Sequence, residues 1–176
     1  MIHSSLTHEA SRTLIQAFIS SRLDYCNSLL YGVSDNLIRR LQSVQNAAAR
    51  LLTWAGRRDH ISPFLRQLHW LPVQKRVDYK PARFVFSSLS GHAPPYLADD
   101  IHLVSESHRR RLRSSTDRSC AVPRTHNTFG DRSFAVAGPR VWNSLLAHLR
   151  DDDITYGGFT SELKTLLRLL LIALYK

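Results

Sequence analysis

The sequence predicts a mainly α fold, a helical bundle that opens with a helical hairpin and carries a short β-hairpin or loop region around residues 118–136. Three observations carry that prediction. Leu37, Leu41, Val44, Ala48 and Leu51 alternate at spacings of four and three, the repeat that lines side chains along one face of a helix. Helix start and stop signals, Ser, Thr or Pro before apolar runs and Gly after them, recur through the first hundred residues. Phe159 to Lys176 is leucine-rich almost all round, as a docked terminal helix would be.

Taken in order, the first helix is expected to be capped by Ser5 or Thr7 and to run to about Tyr31. Ile15, Phe18, Ile19, Tyr25, Cys26, Leu29 and Leu30 form its apolar face, and Gly32 ends it. The short link to Asn36 then makes the next helix its antiparallel neighbour. That second helix, Leu37 to Gly56, buries its stripe and turns outward a face of Arg39, Arg40, Gln42, Gln45, Asn46 and Arg50 that holds no acid. Ser62-Pro63 opens a short helix to Leu68, since proline in the first turn has no amide hydrogen to leave unpaired. His69, between large apolar residues, reads as a hydrogen-bonded histidine at a buried helix junction. Val73 to Ser90 is a further helix, with a kink or break expected near Tyr79 to Pro81 at a cost of about 3 kcal/mol if it stayed straight. Ser90-Gly91 stops it, and Tyr96 to Ile101 forms a helical turn.

Beyond residue 103 the character changes, so the chain divides into a helical segment 1–103, a basic loop or short-strand segment 104–140 and a C-terminal helical segment 141–176. The middle segment holds the run Arg109, Arg110, Arg111 and Arg113. Its candidate strands are Ser119 to Pro123 and Ser133 to Val136, and Gly138-Pro139 marks a turn. Trp142 anchors the resumed core. Gly157-Gly158 reads as a flexible joint before the last helix, capped by Thr160 or Ser161. That helix is too short to span a bilayer, which needs about 20 apolar residues. Lys164, Arg168 and Lys176 would suit an interfacial membrane helix, but docking on the domain or a partner is the favoured reading.

Charge narrows the function. Over 176 residues, 24 Lys and Arg against 14 Asp and Glu leave a net charge of +10, and only four of the cations are lysine. Arginine matches phosphate in a planar, bidentate way, so nucleic acid is the first partner to consider. The candidate phosphate contacts are Arg39, Arg40 and Arg50 on the central helix and Arg109, Arg110, Arg111 and Arg113 on the loop. Cys26 and Cys120 stand too far apart in sequence to suggest a zinc pair or a disulfide framework, and the nine histidines form no metal-binding spacing. No nucleophile–base pair or phosphate loop is evident, so no enzyme, cofactor or small-molecule substrate is read. The N-terminus lacks the apolar core of a signal peptide, which makes an intracellular location, nuclear or cytoplasmic, the expectation.

Six blocks, in order, carry a resemblance: AFISSRLDYCNSLLYG, LQSVQNAAARLLT, DHISPFLRQLHWLPVQKRVDYK, GHAPPYLADD, LRSS and FGDRSFAVAGPRVWNSL. Together they resemble the C-terminal region of reverse transcriptases from non-LTR (LINE-type, Jockey-like) retrotransposons, over nearly the whole chain. The resemblance implies a helical thumb and the connecting region after it, gripping RNA or an RNA–DNA hybrid, with fingers, palm and the catalytic aspartates upstream of Met1. Leu97-Ala98-Asp99-Asp100 is not that catalytic turn: Leu97 stands where the family has an aromatic residue, and no strand pattern supplies a further carboxylate. The expected function is therefore that of a catalytically inactive reverse transcriptase fragment with an arginine-rich surface. The alternative is a helical protein-interaction module, contacting a partner or the upstream domains, or a non-functional pseudogene-like product.

Overall fold

The structure, a computed structural model, describes residues 7–106 and 118–174. These residues are mainly helical and contain no strand. The candidate strands at Ser119 to Pro123 and Ser133 to Val136 are corrected accordingly: the first contributes one antiparallel bridge, Cys120 to Leu103, and the second opens a helix. None of the described helices is long and apolar enough to cross a membrane.

Two compact units divide the chain. One comprises Met1–Asn27, Val33–Arg76 and Leu167–Lys176, the other Ser28–Gly32 and Val77–Leu166. Both are discontinuous in sequence, so their boundaries differ from those of the contiguous segments 1–103, 104–140 and 141–176.

In the first unit, α1 (His8–Ile15) is capped by Thr7, whose hydroxyl accepts from the Ala10 amide at 3.2 Å. The helix widens into a π-helical turn over Gln16–Ser20, resumes as α2 (Ser21–Asp24), and stops at extended Tyr25 and left-handed Cys26 (φ 48°). The expected single helix to Tyr31 is thus broken. Ile15 and Leu23 are buried, but Phe18 and Tyr25 of the predicted apolar face are exposed.

Helix α3 (Asp35–Thr53) is the predicted central helix, rotated. It buries Ile38, Gln45, Ala48, Ala49 and Leu52, while Leu37, Val44 and Leu51 stay 48%, 48% and 40% exposed. The cause lies in the three amides expected to face outward. Gln45, fully buried, donates through Nε2 to the Leu71 carbonyl at 2.9 Å, and Gln42 accepts through Oε1 from the Val73 amide at 2.9 Å. Gln42 Nε2 lies 3.0 Å from Gln45 Oε1 and 2.8 Å from Asn46 Oδ1. Leu71 and Val73 flank Pro72 at the start of α5 (Val73–Leu89), where backbone groups have no helical partner. The Leu71 carbonyl also accepts from Arg76 Nε at 3.0 Å, whereas Gln42 is the partner of the Val73 amide; leaving that amide buried and unpaired would cost about 1–3 kcal/mol, which favours turning the amide side of α3 inward.

Helix α4 (Ser62–Gln67) ends in a left-handed turn. The Trp70 amide donates to the Leu65 carbonyl at 2.8 Å and the His69 amide to the Arg66 carbonyl at 3.0 Å, with His69 at φ 57°. This is the paired closing bond pattern that usually selects glycine. Trp70 packs back on the cluster of Ala49, Ile61 and Leu65. His69 itself is exposed, which corrects its expected burial: the apolar contact of this turn is made by its neighbour Trp70.

In the second unit, α5 continues through Pro81 without the expected break, and Gly91 (φ 70°) closes it. Helix α6 (Pro95–Ala98) follows, leaving Asp99 and Asp100 exposed. Helix α7 (Phe134–Asn143) runs through Gly138-Pro139, expected as a turn. Both prolines lie among the fully buried side chains, so burial of the rings offsets the missing helical hydrogen bond. Helix α8 (Tyr156–Leu174) is capped by Thr155 rather than Thr160 or Ser161: its hydroxyl accepts from Gly158 N at 3.1 Å, which puts the Gly157-Gly158 pair in the first turn instead of a flexible joint.

The core of this unit is aromatic. Phe86 and Phe159 stack at 4.3 Å between centroids, and Trp142 lies 5.8 Å from Phe159. Trp142 is the anchor expected of it, fully buried with Nε1 donating to the Arg118 carbonyl at 2.7 Å. Asn143 grips the Cys120 backbone from both sides, accepting from its amide and donating to its carbonyl, each at 2.8 Å.

Candidate nucleic-acid interface

The first unit holds the basic surface that the sequence suggested. Arg39 and Arg40 are exposed in the second turn of α3, whose one acid is Asp35 in the first turn. Arg39 donates through Nε to the Asp35 carbonyl at 3.3 Å, so its stem lies along its own helix with the guanidinium in solvent. Eleven residues on, Arg50 returns to nearly the same face, about 20° round and about 16 Å along the axis. Arg50 is half-buried and donates to the Asp59 carbonyl at 3.4 Å. That aspartate also accepts from the Gly56 amide at 2.6 Å, so Arg50 braces the loop after α3 as much as it faces outward. Arg57 and Arg58 on this loop are exposed. The structure thus keeps Arg39 and Arg40 as solvent-facing cations, gives Arg50 a second duty, and turns the amides away. Arg109, Arg110, Arg111 and Arg113 lie outside the described residues.

A cavity that the sequence did not announce opens beside the C-terminal end of α3, with a volume of about 420 Å³. Leu52 and Leu68, which pack in the apolar cluster with Ile15 and Trp70, contribute its apolar lining. Arg12, Gln16, Trp54 and His69 line it as well. His8 is fixed at the edge: its Nε2 lies 3.1 Å from the Leu52 carbonyl, which can only accept, so the ring donates there and satisfies an end-of-helix carbonyl. No acidic side chain is among the lining residues.

Two lining residues have backbones that glycine would adopt without cost. Trp54, the C-cap of α3, has φ 56° and His69 has φ 57°. Left-handed geometry costs an ordinary L-residue roughly 1–2 kcal/mol. At Trp54 the result is an indole 68% exposed at the cavity. No local pattern could have placed these residues together, since they come from three separate stretches. The one available signal was a tryptophan where a helix was expected to end.

Among the described residues no group of three or more His, Cys, Asp or Glu side chains could hold a metal ion. In the second unit, burial pushes the Cys120 thiol up to about 12, against weaker opposing pulls from Arg118 and Arg150. Asp131 is held below the usual carboxylate range by hydrogen bonds from Thr125 (2.6 Å) and Arg140 (2.8 Å). These are structural pairings, with the charges already matched. Compared with family models, curated proteins and solved structures, the chain matches none.

Proposed function

We propose that this chain is a non-catalytic, nucleic-acid-gripping part of a non-LTR retrotransposon reverse transcriptase, binding RNA or an RNA–DNA hybrid through phosphate contacts that read no sequence. The six ordered blocks of resemblance and the charge of +10 support the reading. The observation that carries it is the outward pair Arg39 and Arg40 on a 19-residue helix with no acid beyond its first turn. Such a surface attracts a phosphate backbone by counterion release, so affinity falls as salt rises. The catalytic carboxylates belong, on this reading, to the region upstream.

The test is the slope of log affinity against log salt for an RNA–DNA hybrid. Replacing Arg39 and Arg40 by glutamine together is expected to flatten the slope by about 1.4–1.8, near 0.7–0.9 per lost phosphate contact. A flat slope in the unsubstituted protein, or no binding at low salt, refutes the reading.

One observation favours a second reading, a helical interaction module. Leu37, Val44 and Leu51 recur every seven residues on α3 and are each 40% or more exposed, a row that could meet a partner helix. Sedimentation separates the two: self-association through this row without nucleic-acid binding favours the module.

A further inference from the structure

Phosphate contacts on α3 leave the adjoining cavity unused, and its chemistry is different. Its apolar lining from Leu52 and Leu68, an exposed indole at Trp54, a cation at Arg12, an amide at Gln16 and no acid suit a flat aromatic group with polar edges and a negative charge attached. An unpaired nucleotide has that composition. The volume of about 420 Å³ is within the range of roughly 300–1,000 Å³ typical of small-molecule sites.

We propose that this cavity takes one unpaired nucleotide of a bound strand, the base stacking on Trp54 and its phosphate meeting Arg12. The proposal rests on the nucleic-acid reading above and adds a base-dependent site to it. A helix end normally closes on glycine, yet here Trp54 takes the left-handed position and holds its ring out in solvent beside the cavity. His69, also left-handed and exposed, lines the same cavity. Base–aromatic stacking tolerates any sequence, so the site would favour single-stranded over paired nucleic acid without selecting a base.

The full chain is titrated with a blunt RNA–DNA hybrid, with the same hybrid carrying a short single-stranded RNA extension, and with an abasic version of that extension. The base-bearing extension is expected to bind on the order of tenfold tighter than the abasic one. Trp54→Ala should remove that difference and leave the blunt hybrid's affinity and salt slope unchanged, while Trp54→Phe retains most of it. Should Trp54→Ala fail to fold, as judged by circular dichroism, the base-bearing against abasic comparison on the unsubstituted chain decides. Equal binding of the two extensions, or a preference that survives Trp54→Ala in a folded protein, overturns the proposal while the phosphate reading stands. Failure of all three nucleic acids to bind at low salt removes the phosphate reading, and the nucleotide site with it.

Discussion

Gly138 tests the packing of the second unit, because two opposing effects of known size meet there. Glycine inside a helix is ordinarily a weakness, and replacing it by alanine gains about 1 kcal/mol of helix propensity. At Gly138 an added Cβ would lie 2.9 Å from Val85 Cγ2 and 3.1 Å from Phe134 Cε2. Carbon atoms prefer about 3.5–4.0 Å, so the new atom intrudes by more than half an ångström. Val85 is fully buried on α5 and its β-branched side chain has essentially one rotamer in a helix, so it cannot swing away. Overpacking of this kind costs roughly 1–3 kcal/mol and outweighs the propensity gain. Because Pro139 follows, a helical alanine at 138 also meets the proline ring and forfeits most of the propensity gain, so Gly138→Ala should destabilise by about 1–3 kcal/mol, read as a lower urea midpoint at unchanged slope. The same change in a Val85→Ala background, where Cγ2 is gone and only the Phe134 ring at 3.1 Å still crowds the new atom, should cost less than in the parent, an interaction that a double-mutant cycle measures. Gly157→Ala serves as a control: nothing lies within 4 Å of its added Cβ, and it should stabilise slightly. If Gly138→Ala proves as stable as the parent, the close approach of α7 to α5 is wrong.

Four further outcomes are expected, besides the salt slope of the Arg39 and Arg40 variant. His69→Gly should raise stability by about 1 kcal/mol, since it relieves a left-handed φ at an exposed position; a thermal midpoint that falls would refute the turn geometry. Asn143→Ala strips both bonds from the Cys120 backbone and should cost about 1–3 kcal/mol, checked by the urea midpoint; no change would mean the clamp is idle. Iodoacetamide at mild alkaline pH should label exposed Cys26 in the native protein and Cys120 only after unfolding, as mass spectrometry would show. Cys120 has a matching pH signature. Its folded thiol keeps a proton that the unfolded chain releases above about its ordinary value of 9.0, so its contribution is complete below that pH and is lost as pH rises toward 12. Stability that did not decline over that window more steeply than in Cys120→Ala would contradict the buried neutral thiol.

Of the candidate interface, the exposure of Arg39 and Arg40 was legible because α3 is a long helix with a clear period, and they lie off its apolar stripe. The sequence misplaced Gln42, Gln45 and Asn46, since an amide that caps a backbone thirty residues away looks the same in sequence as one facing water. The cavity was illegible for a related reason: Arg12, Trp54 and His69 meet only after α1, α3 and α4 have folded.

By itself the sequence determined that the chain is helical, roughly where α3, α4 and α5 begin and end, and that Trp142 would be buried, because periodicity, caps and large apolar side chains act locally. Tertiary structure decided the phase of α3, which its period leaves open: one residue is about 100° of rotation, and the bonds that Gln45 and Gln42 make to the Leu71 carbonyl and the Val73 amide go with the rotated phase. It also decided that Pro81 and Pro139 stay inside helices, since the apolar burial that offsets their lost hydrogen bonds comes from neighbours distant in the chain.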